Sequence, residues 1–318
     1  MDSIKVSIIC NTYNHGIYIE DAIKGFINQK TNFNYEICIH DDASTDDTAE
    51  IIRKYEALYP HLIHAIYQKE NQYSQGRSVN AINTARAKGE YIAFCEGDDY
   101  WTDPNKLQKQ VNIMDNYSDC ALVLHGSMIV NAQNKRAHKK WLFTKELRKL
   151  TIDEVLESRG IVAAHNSYMY RNIENVFPDF FKNLGVWDTT RCLYFALNNS
   201  IYYIPEVMSV YRVGIKGSWN DRVRLDSKKL VKHYRKEINF YQALNSYTEY
   251  QYVKVIKKIM DELDFQICVL EKRYEDVIKN HQSILDRQSF YRRISFMIQK
   301  YFPFLFNGLR ILRFKYWI

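Results

Sequence analysis

Two clusters of acidic residues are the part of this sequence best suited to chemistry. Asp41-Asp42 follows a short apolar run, and Asp98-Asp99 lies in the run Phe94-Cys95-Glu96-Gly97-Asp98-Asp99-Tyr100-Trp101. Adjacent carboxylates repel, and they cost stability unless a cation or a donor group compensates them. A hard divalent cation does so through oxygen ligands, and Mg2+ is held by one or two carboxylates together with substrate phosphates. The clusters therefore suggest a metal–diphosphate site. The plainer alternative is a solvated acidic turn or a helix cap. It accounts well for one such pair and poorly for two at neighbouring strand ends.

The elements that carry these clusters can be read from hydrophobic periodicity. Val6-Ser7-Ile8-Ile9-Cys10 reads as a strand that stops at Asn11-Thr12-Tyr13-Asn14, and Ile19, Ala22, Ile23, Phe26 and Ile27 recur at helical spacing. Tyr35 to His40 reads as a second strand ending in Asp41-Asp42. A helix is expected from Thr45, with Asp46 and Asp47 in its first turn, where the helix dipole favours negative charge. Leu62–Tyr67 and Tyr91–Cys95 are further strands, with a helix over Ala81–Ala87 between them. Strands separated by helices predict an α/β fold, a mostly parallel sheet with helices on both faces. In such sheets ligands bind beyond the carboxyl ends of the strands, which is where the acidic clusters fall.

Composition bounds the rest. The chain has 318 residues, 46% hydrophobic and 25% charged, which excludes a disordered or low-complexity polymer. No run approaches the roughly 20 apolar residues of a membrane-spanning helix, and the N-terminus shows no signal-peptide pattern. The six Cys are widely spaced, without CxxC pairs, and read as reduced thiols of a cytoplasmic protein. The net charge of +7 is uneven: residues 223–318 hold 19 Lys and Arg against 10 Asp and Glu. That region has no Gly or Pro between Trp219 and Phe302 and shows long helical periodicity. Two domains are expected, 1–222 carrying the acidic clusters and 223–318 helical and basic. No GxGxxG, P-loop or GxSxG run supports a nicotinamide, Walker-type or serine-hydrolase reading.

Taken together and in order, Val6–Asn14, Asp41-Asp42-Ala43-Ser44-Thr45-Asp46-Asp47-Thr48, Gly89–Phe94 and the EGDDYW run resemble the family 2 glycosyltransferases of GT-A fold. The resemblance covers roughly residues 4–219. With Asp103-Pro104 and Lys106-Leu107 it is similar to a bacterial subgroup that builds surface polysaccharides. It implies an inverting transfer from a nucleotide-diphosphate sugar, most simply a UDP-sugar, to a glycan or lipid-linked saccharide, with Mn2+ or Mg2+ as cofactor. By the same resemblance Tyr13 stacks on the donor base, and Asn11, Asp41 and Asp42 line the nucleotide pocket. Asp99 is the metal ligand, with Asp98 facing the donor sugar or ribose. Asp188, before a helical run, is the base that activates the acceptor, although helix capping would also explain an Asp there. Arg212 is a candidate to reach the diphosphate, and Arg77 is another, although it reads more readily as a surface residue. His165 reads more readily as a structural histidine than as an acceptor contact.

Residues 290–318 hold ten aromatics, six Lys and Arg and no acidic residue. Two uses suit them equally: lying in the interface of a membrane as a peripheral contact, or packing as a terminal helix. Single-stranded nucleic acid is a weaker third, and no nucleic-acid partner is expected. The rival to an enzyme is a nucleotide- or glycan-binding subunit with a lapsed transferase fold. A nucleotidyltransferase would need a Gly-rich basic loop where Asn11-Thr12-Tyr13-Asn14 stands.

Overall fold

Each strand expected in the first hundred residues forms, and each ends where its apolar run meets polar side chains. The structure, a computed structural model, describes residues 3–134, 136–172, 177–184, 187–218, 223 and 226–302. Contacts divide the chain into two units, Met1–Val176 with Arg191–Val213 and Phe177–Thr190 with Gly214–Ile318. The division thus falls nearer Val213 than residue 222, and the segment carrying Asp188 goes with the helical unit.

In the first unit, β1 (Ile4–Thr12), α1 (Ile19–Ile27), β2 (Asn34–Asp41), α2 (Thr48–Leu58), β3 (Ile63–Tyr67), α3 (Val79–Thr84) and β4 (Tyr91–Phe94) follow one another. The four strands pair in parallel in the order β3-β2-β1-β4. Ile19, Ala22, Ile23 and Phe26 form the buried stripe of α1, as their spacing requires. The second helix starts at Thr48 rather than Thr45. Asp46 sits before it and accepts from the Thr48 amide at 3.0 Å and the Gly16 amide at 2.9 Å, so its carboxylate satisfies a helix-end donor and fastens the loop after β1.

The remainder of this sheet is mixed. β5 (Tyr100–Trp101), α4 (Lys106–Asn116), β6 (Cys120–Asn131), β7 (Ala137–Trp141), β8 (Arg148–Lys149), α5 (Ile152–Glu157) and β9 (Met169–Arg171) come next. α6 (Asp179–Asn183) and α7 (Trp187–Asn198) then lead to β10 (Ser200–Val213). β9 lies antiparallel between β4 and β6, and β10 runs parallel to β6 and antiparallel to β5. Three residues are too few to show a period, so the antiparallel insertion has no sequence signature. The core is formed by the inward residues of β1, β2, β4 and β6 with α1 and α4. All six cysteines are buried and unpaired as disulfides.

The helical unit contains α8 (Ser227–Tyr247), α9 (Val253–Leu270), α10 (Tyr274–Asp286) and α11 (Phe290–Tyr301). Phe181 of α6 meets Phe240 of α8 edge-on at 5.3 Å. Phe265, Cys268 and Val269 of α9 pack with Val277, Ile284 and Leu285 of α10 and with Phe296 of α11. Phe290, Tyr291, Ile294, Met297 and Tyr301 of α11 are exposed. Residues 303–318, the rest of the basic and aromatic stretch, lie outside the described residues. Among the described residues no helix is long and apolar enough to cross a membrane.

One buried charge carries a consequence for stability. Lys106 is fully buried, with its Nζ 3.9 Å from the Trp101 ring centroid and donating to Gln110 Oε1 at 2.6 Å. Burial lowers its pKa from 10.5 to about 7. Below that value the fold carries the full cost of a buried ammonium. Between about pH 7 and the unfolded value the unfolded chain binds the extra proton, so stability rises with pH. The unfolding temperature should therefore climb between about pH 7 and 9 in the natural protein and stay flatter in Lys106→Met. Parallel profiles would show that Lys106 does not titrate there.

Candidate active site

Parallel pairing brings the ends of β1, β2 and β4 to one edge, and the chain after β4 extends along β1. Cys95 donates its amide to Ile9 at 3.1 Å and Gly97 donates to Asn11 at 3.0 Å. Gly97 is required for this approach, because a Cβ there would lie 2.6 Å from Thr12 Oγ1 and 2.8 Å from Thr12 Cβ. The Asp99 amide then returns to the Glu96 carbonyl at 3.1 Å, closing a tight acidic turn.

Within that turn the two aspartates have different surroundings. Asp99 is 5% exposed. Its Oδ2 accepts from Asn166 Nδ2 at 3.0 Å and its Oδ1 from the Arg212 amide at 2.8 Å. Burial, then the neighbouring Asp98 charge, push its pKa well up. The expected metal ligand is thus anchored in the scaffold. Asn166 is the centre of this anchor: its Nδ2 also donates to the Val210 carbonyl, and its Oδ1 accepts from Ser127 and Ser209.

The Glu96 side chain is 46% exposed and the Asp98 side chain 18%, both more than Asp99. Glu96 has His165 Nδ1 at 3.8 Å, and Asp98 has His15 Nε2 at the same distance. Burial, with Glu96 close by, raises the Asp98 pKa against the pull of His15. Burial also acts on Glu96, but the His165 and His15 imidazoles hold it below the ordinary value. Thr12 Oγ1, His15 Nδ1 and His165 Nε2 are buried beside this turn without a hydrogen-bond partner, the condition expected where a ligand completes a polar site. Two carboxylate oxygen donors separated by one residue fit a hard cation that takes its remaining ligands from phosphates and water.

The other expected residues divide between wall and brace. Tyr13 is 45% exposed just past β1, free to offer a ring face. Asn11 is held by Asn80 and by Asn83 Nδ2 at 3.1 Å. Asp41 is buried, accepts from Ser44 Oγ at 2.5 Å, and burial raises its pKa. Asp42 is also buried, and both its oxygens accept backbone donors, Gln72 at 2.7 Å and Tyr73 at 3.1 Å. Its visible job is to anchor the loop after β3. Arg77 is exposed and donates to Gln72 Oε1. The Arg212 guanidinium pairs with Asp21, donates to the Asp98 carbonyl and lies over the Tyr100 ring at 4.5 Å. Asp188 is the second residue of α7, but its side chain lies outside the described residues.

The model of glycosyl transferase family 2 matches residues 7–177. The chain belongs to this family. The chain is similar to a Mycobacterium tuberculosis protein described as uncharacterized, 35% identical over 219 residues, covering 68% of this chain and 60% of the relative. It is also similar to the putative teichuronic acid biosynthesis glycosyltransferase TuaG of Bacillus subtilis, 35% identical over 153 residues, covering 48% of this chain and 57% of TuaG. The chain thus spans less than two thirds of either relative's length. Residues 1–349 of S. aureus TarS, solved in complex with UDP, superpose with a TM-score of 0.57 at 17% identity, covering 89% of this chain and 78% of that one. That likeness establishes the fold, which is the expected GT-A α/β architecture.

In this family 2 chain, Glu96, His15 and Asn166 carry no role that the sequence pattern marks, and His165, expected as a structural histidine, stands beside the acidic turn. The Glu-Gly-Asp spacing was the available signal for Glu96, since alternate residues of a turn can aim the same way. Asn166 has no local signal, because its partners are more than 30 residues away. Removing its side chain takes a donor from buried Asp99 Oδ2 and from the Val210 carbonyl and leaves the Ser127 and Ser209 hydroxyls only each other, so Asn166→Ala should lose about 2 kcal/mol in urea unfolding. Arg77→Ala, at an exposed position, should change stability by less than about 0.5 kcal/mol.

Proposed function

We propose that the chain is an inverting glycosyltransferase that takes a sugar from a nucleotide-diphosphate donor, a UDP-sugar in the simplest case, for cell-surface polysaccharide synthesis. The observation that carries this reading is the acidic turn, where Asp98 and Glu96 are more exposed than Asp99, which is locked beneath them. Asp98, with Glu96, would hold Mn2+ or Mg2+. The bound ion would offset charge that builds on the departing diphosphate. Tyr13 stacks on the base, while Asn11 and the loop anchored by Asp42 wall the nucleotide pocket. His15 and His165, each 3.8 Å from one of the two carboxylates, orient them. Asp188 is the base that takes the acceptor hydroxyl's proton.

The acceptor in this reading is a saccharide, lipid-linked in the cell. The exposed aromatic and basic side chains of α11 would then serve as a peripheral contact with the cytoplasmic membrane face. Support for the polysaccharide role comes from the likeness to TuaG, and for UDP from the likeness to TarS.

The test is turnover of a panel of nucleotide sugars with Mn2+, Mg2+ or chelator. The natural protein should turn over one donor and lose that activity with chelator. Asp98→Asn should reduce it by about 100-fold or more while keeping the unfolding temperature. Asp99→Asn should instead lower the unfolding temperature, because its NH2 would face one of the two donors, Asn166 or the Arg212 amide, that each address a separate carboxylate oxygen. Equal activity loss in both variants without a stability difference would return the metal to Asp99. Nucleotide binding without turnover of any donor, with or without a lipid-linked acceptor, would favour the lapsed subunit.

A further inference from the structure

The helical unit contains a cluster that the proposed transfer does not use. Asp264 and Cys268 stand one turn apart on α9, so they share a face. His281 comes from α10, at the residue where that helix kinks, with φ −129° and ψ 22°. His281 Nε2 is 2.9 Å from Asp264 Oδ2, and Cys268 Sγ is 4.0 Å from the same oxygen. One ligand atom from each residue lies within 4.8 Å of the others.

We propose that Asp264, Cys268 and His281 bind a zinc-type divalent metal that clasps α9 to α10. Thiolate, imidazole and carboxylate are the three donors zinc takes, and bonds of about 2.0–2.3 Å place tetrahedral ligands roughly 3.3–3.8 Å apart. Two of the separations, 2.9 and 4.0 Å, bracket that range, and all three lie within 4.8 Å. The donors are also differently placed. Cys268 and His281 are buried, whereas the Asp264 side chain is 47% exposed, which gives the ion a way in. Arg273 lies 4.0 Å from Asp264 Oδ1, leaving Oδ2 to the cluster.

The fourth ligand is supplied from outside the trio. His281 also lines a cavity of about 270 Å3 between the same helices, with Lys257, Lys258 and Arg287 on its wall. Of the three donors only His281 lines that cavity, whose wall also carries Asp261, and water completes the tetrahedral set. A mixed sulfur, nitrogen and oxygen set favours zinc over the hard cations suited to Asp98 and Glu96. Binding displaces the thiol proton into solvent, and His281 coordinates through Nε2 as the neutral tautomer that carries its proton on Nδ1.

The full chain, stripped by chelator and dialysed, is titrated with Co2+ and then Zn2+. One Co2+ per chain should produce a thiolate-to-cobalt band that Zn2+ abolishes, and Zn2+ should raise the unfolding temperature. Cys268→Ser should remove the band, Asp264→Asn should weaken binding by about tenfold or more, and Asp98→Asn should leave both unchanged. A natural protein with no thiolate band overturns the proposal, as does a band that survives Cys268→Ser or disappears with Asp98→Asn. Should Cys268→Ser fail to fold by circular dichroism, the exposed Asp264 decides: unaltered affinity in Asp264→Asn overturns the site.

Discussion

The acidic turn depends on one buried carboxylate. Asp99 joins the segment after β4 to the Asn166 amide and to the backbone of β10 at Arg212, three places far apart in sequence. A carboxylate is costly to bury unless its oxygens are satisfied, and here every direct partner comes from the scaffold. Neighbouring residues of the turn are oriented as a result. Arg212 adds its side chain to the Asp98 carbonyl and Asp21 to the Arg212 guanidinium, so charge on the brace is balanced beneath the more exposed pair. The hydroxyls of Ser127 and Ser209, one on each of two central strands, complete the Asn166 amide. Positioning of Glu96 and Asp98 is thereby a property of the sheet.

Much of this architecture can be read without coordinates, for a physical reason. The parallel half consists of apolar β-branched runs separated by amphipathic helices, and both patterns are local. Acidic residues at the strand ends then share an edge by topology alone. What the pattern leaves open is which neighbour in a pair points inward. Asp98 and Asp99 have the same chemistry, and only the distant Asn166 and Arg212 decide that Asp99 is the anchored one. Arg212 shows the same limit: its residue type suits a phosphate, and nothing local marks its contacts with Asp21 and Tyr100. Strand β9 escapes notice because three residues show no period, and the partners that give it an identity, β4 and β6, are remote.

The two units use buried polar chemistry differently. In the sheet unit, buried polar groups such as Asn83 and Asn166 satisfy backbone carbonyls at element junctions. Asn83 donates to the Cys10 and Cys38 carbonyls and so ties β1 to β2 beneath the pocket. The helical unit instead brings thiol, imidazole and carboxylate together where α9 meets α10, in surroundings otherwise formed by Phe265, Val269, Val277 and Ile284. Apolar packing holds those helices side by side without specifying their axial register. A directional cluster at the His281 kink supplies that specification.

The loops after β1 and β2 are latched to one another. Asn14 and Ala43 both adopt left-handed backbone, at φ 54° and 64°. The Asn14 amide donates to Ser44 Oγ, and its side chain accepts from the Thr45 amide at 2.8 Å. Conformational freedom in these walls is therefore lost during folding, before any ligand arrives. If Tyr13 stacks on the donor base as proposed, that base would meet a slot of set width, and discrimination between pyrimidine and purine would become a matter of fit to a rigid gauge.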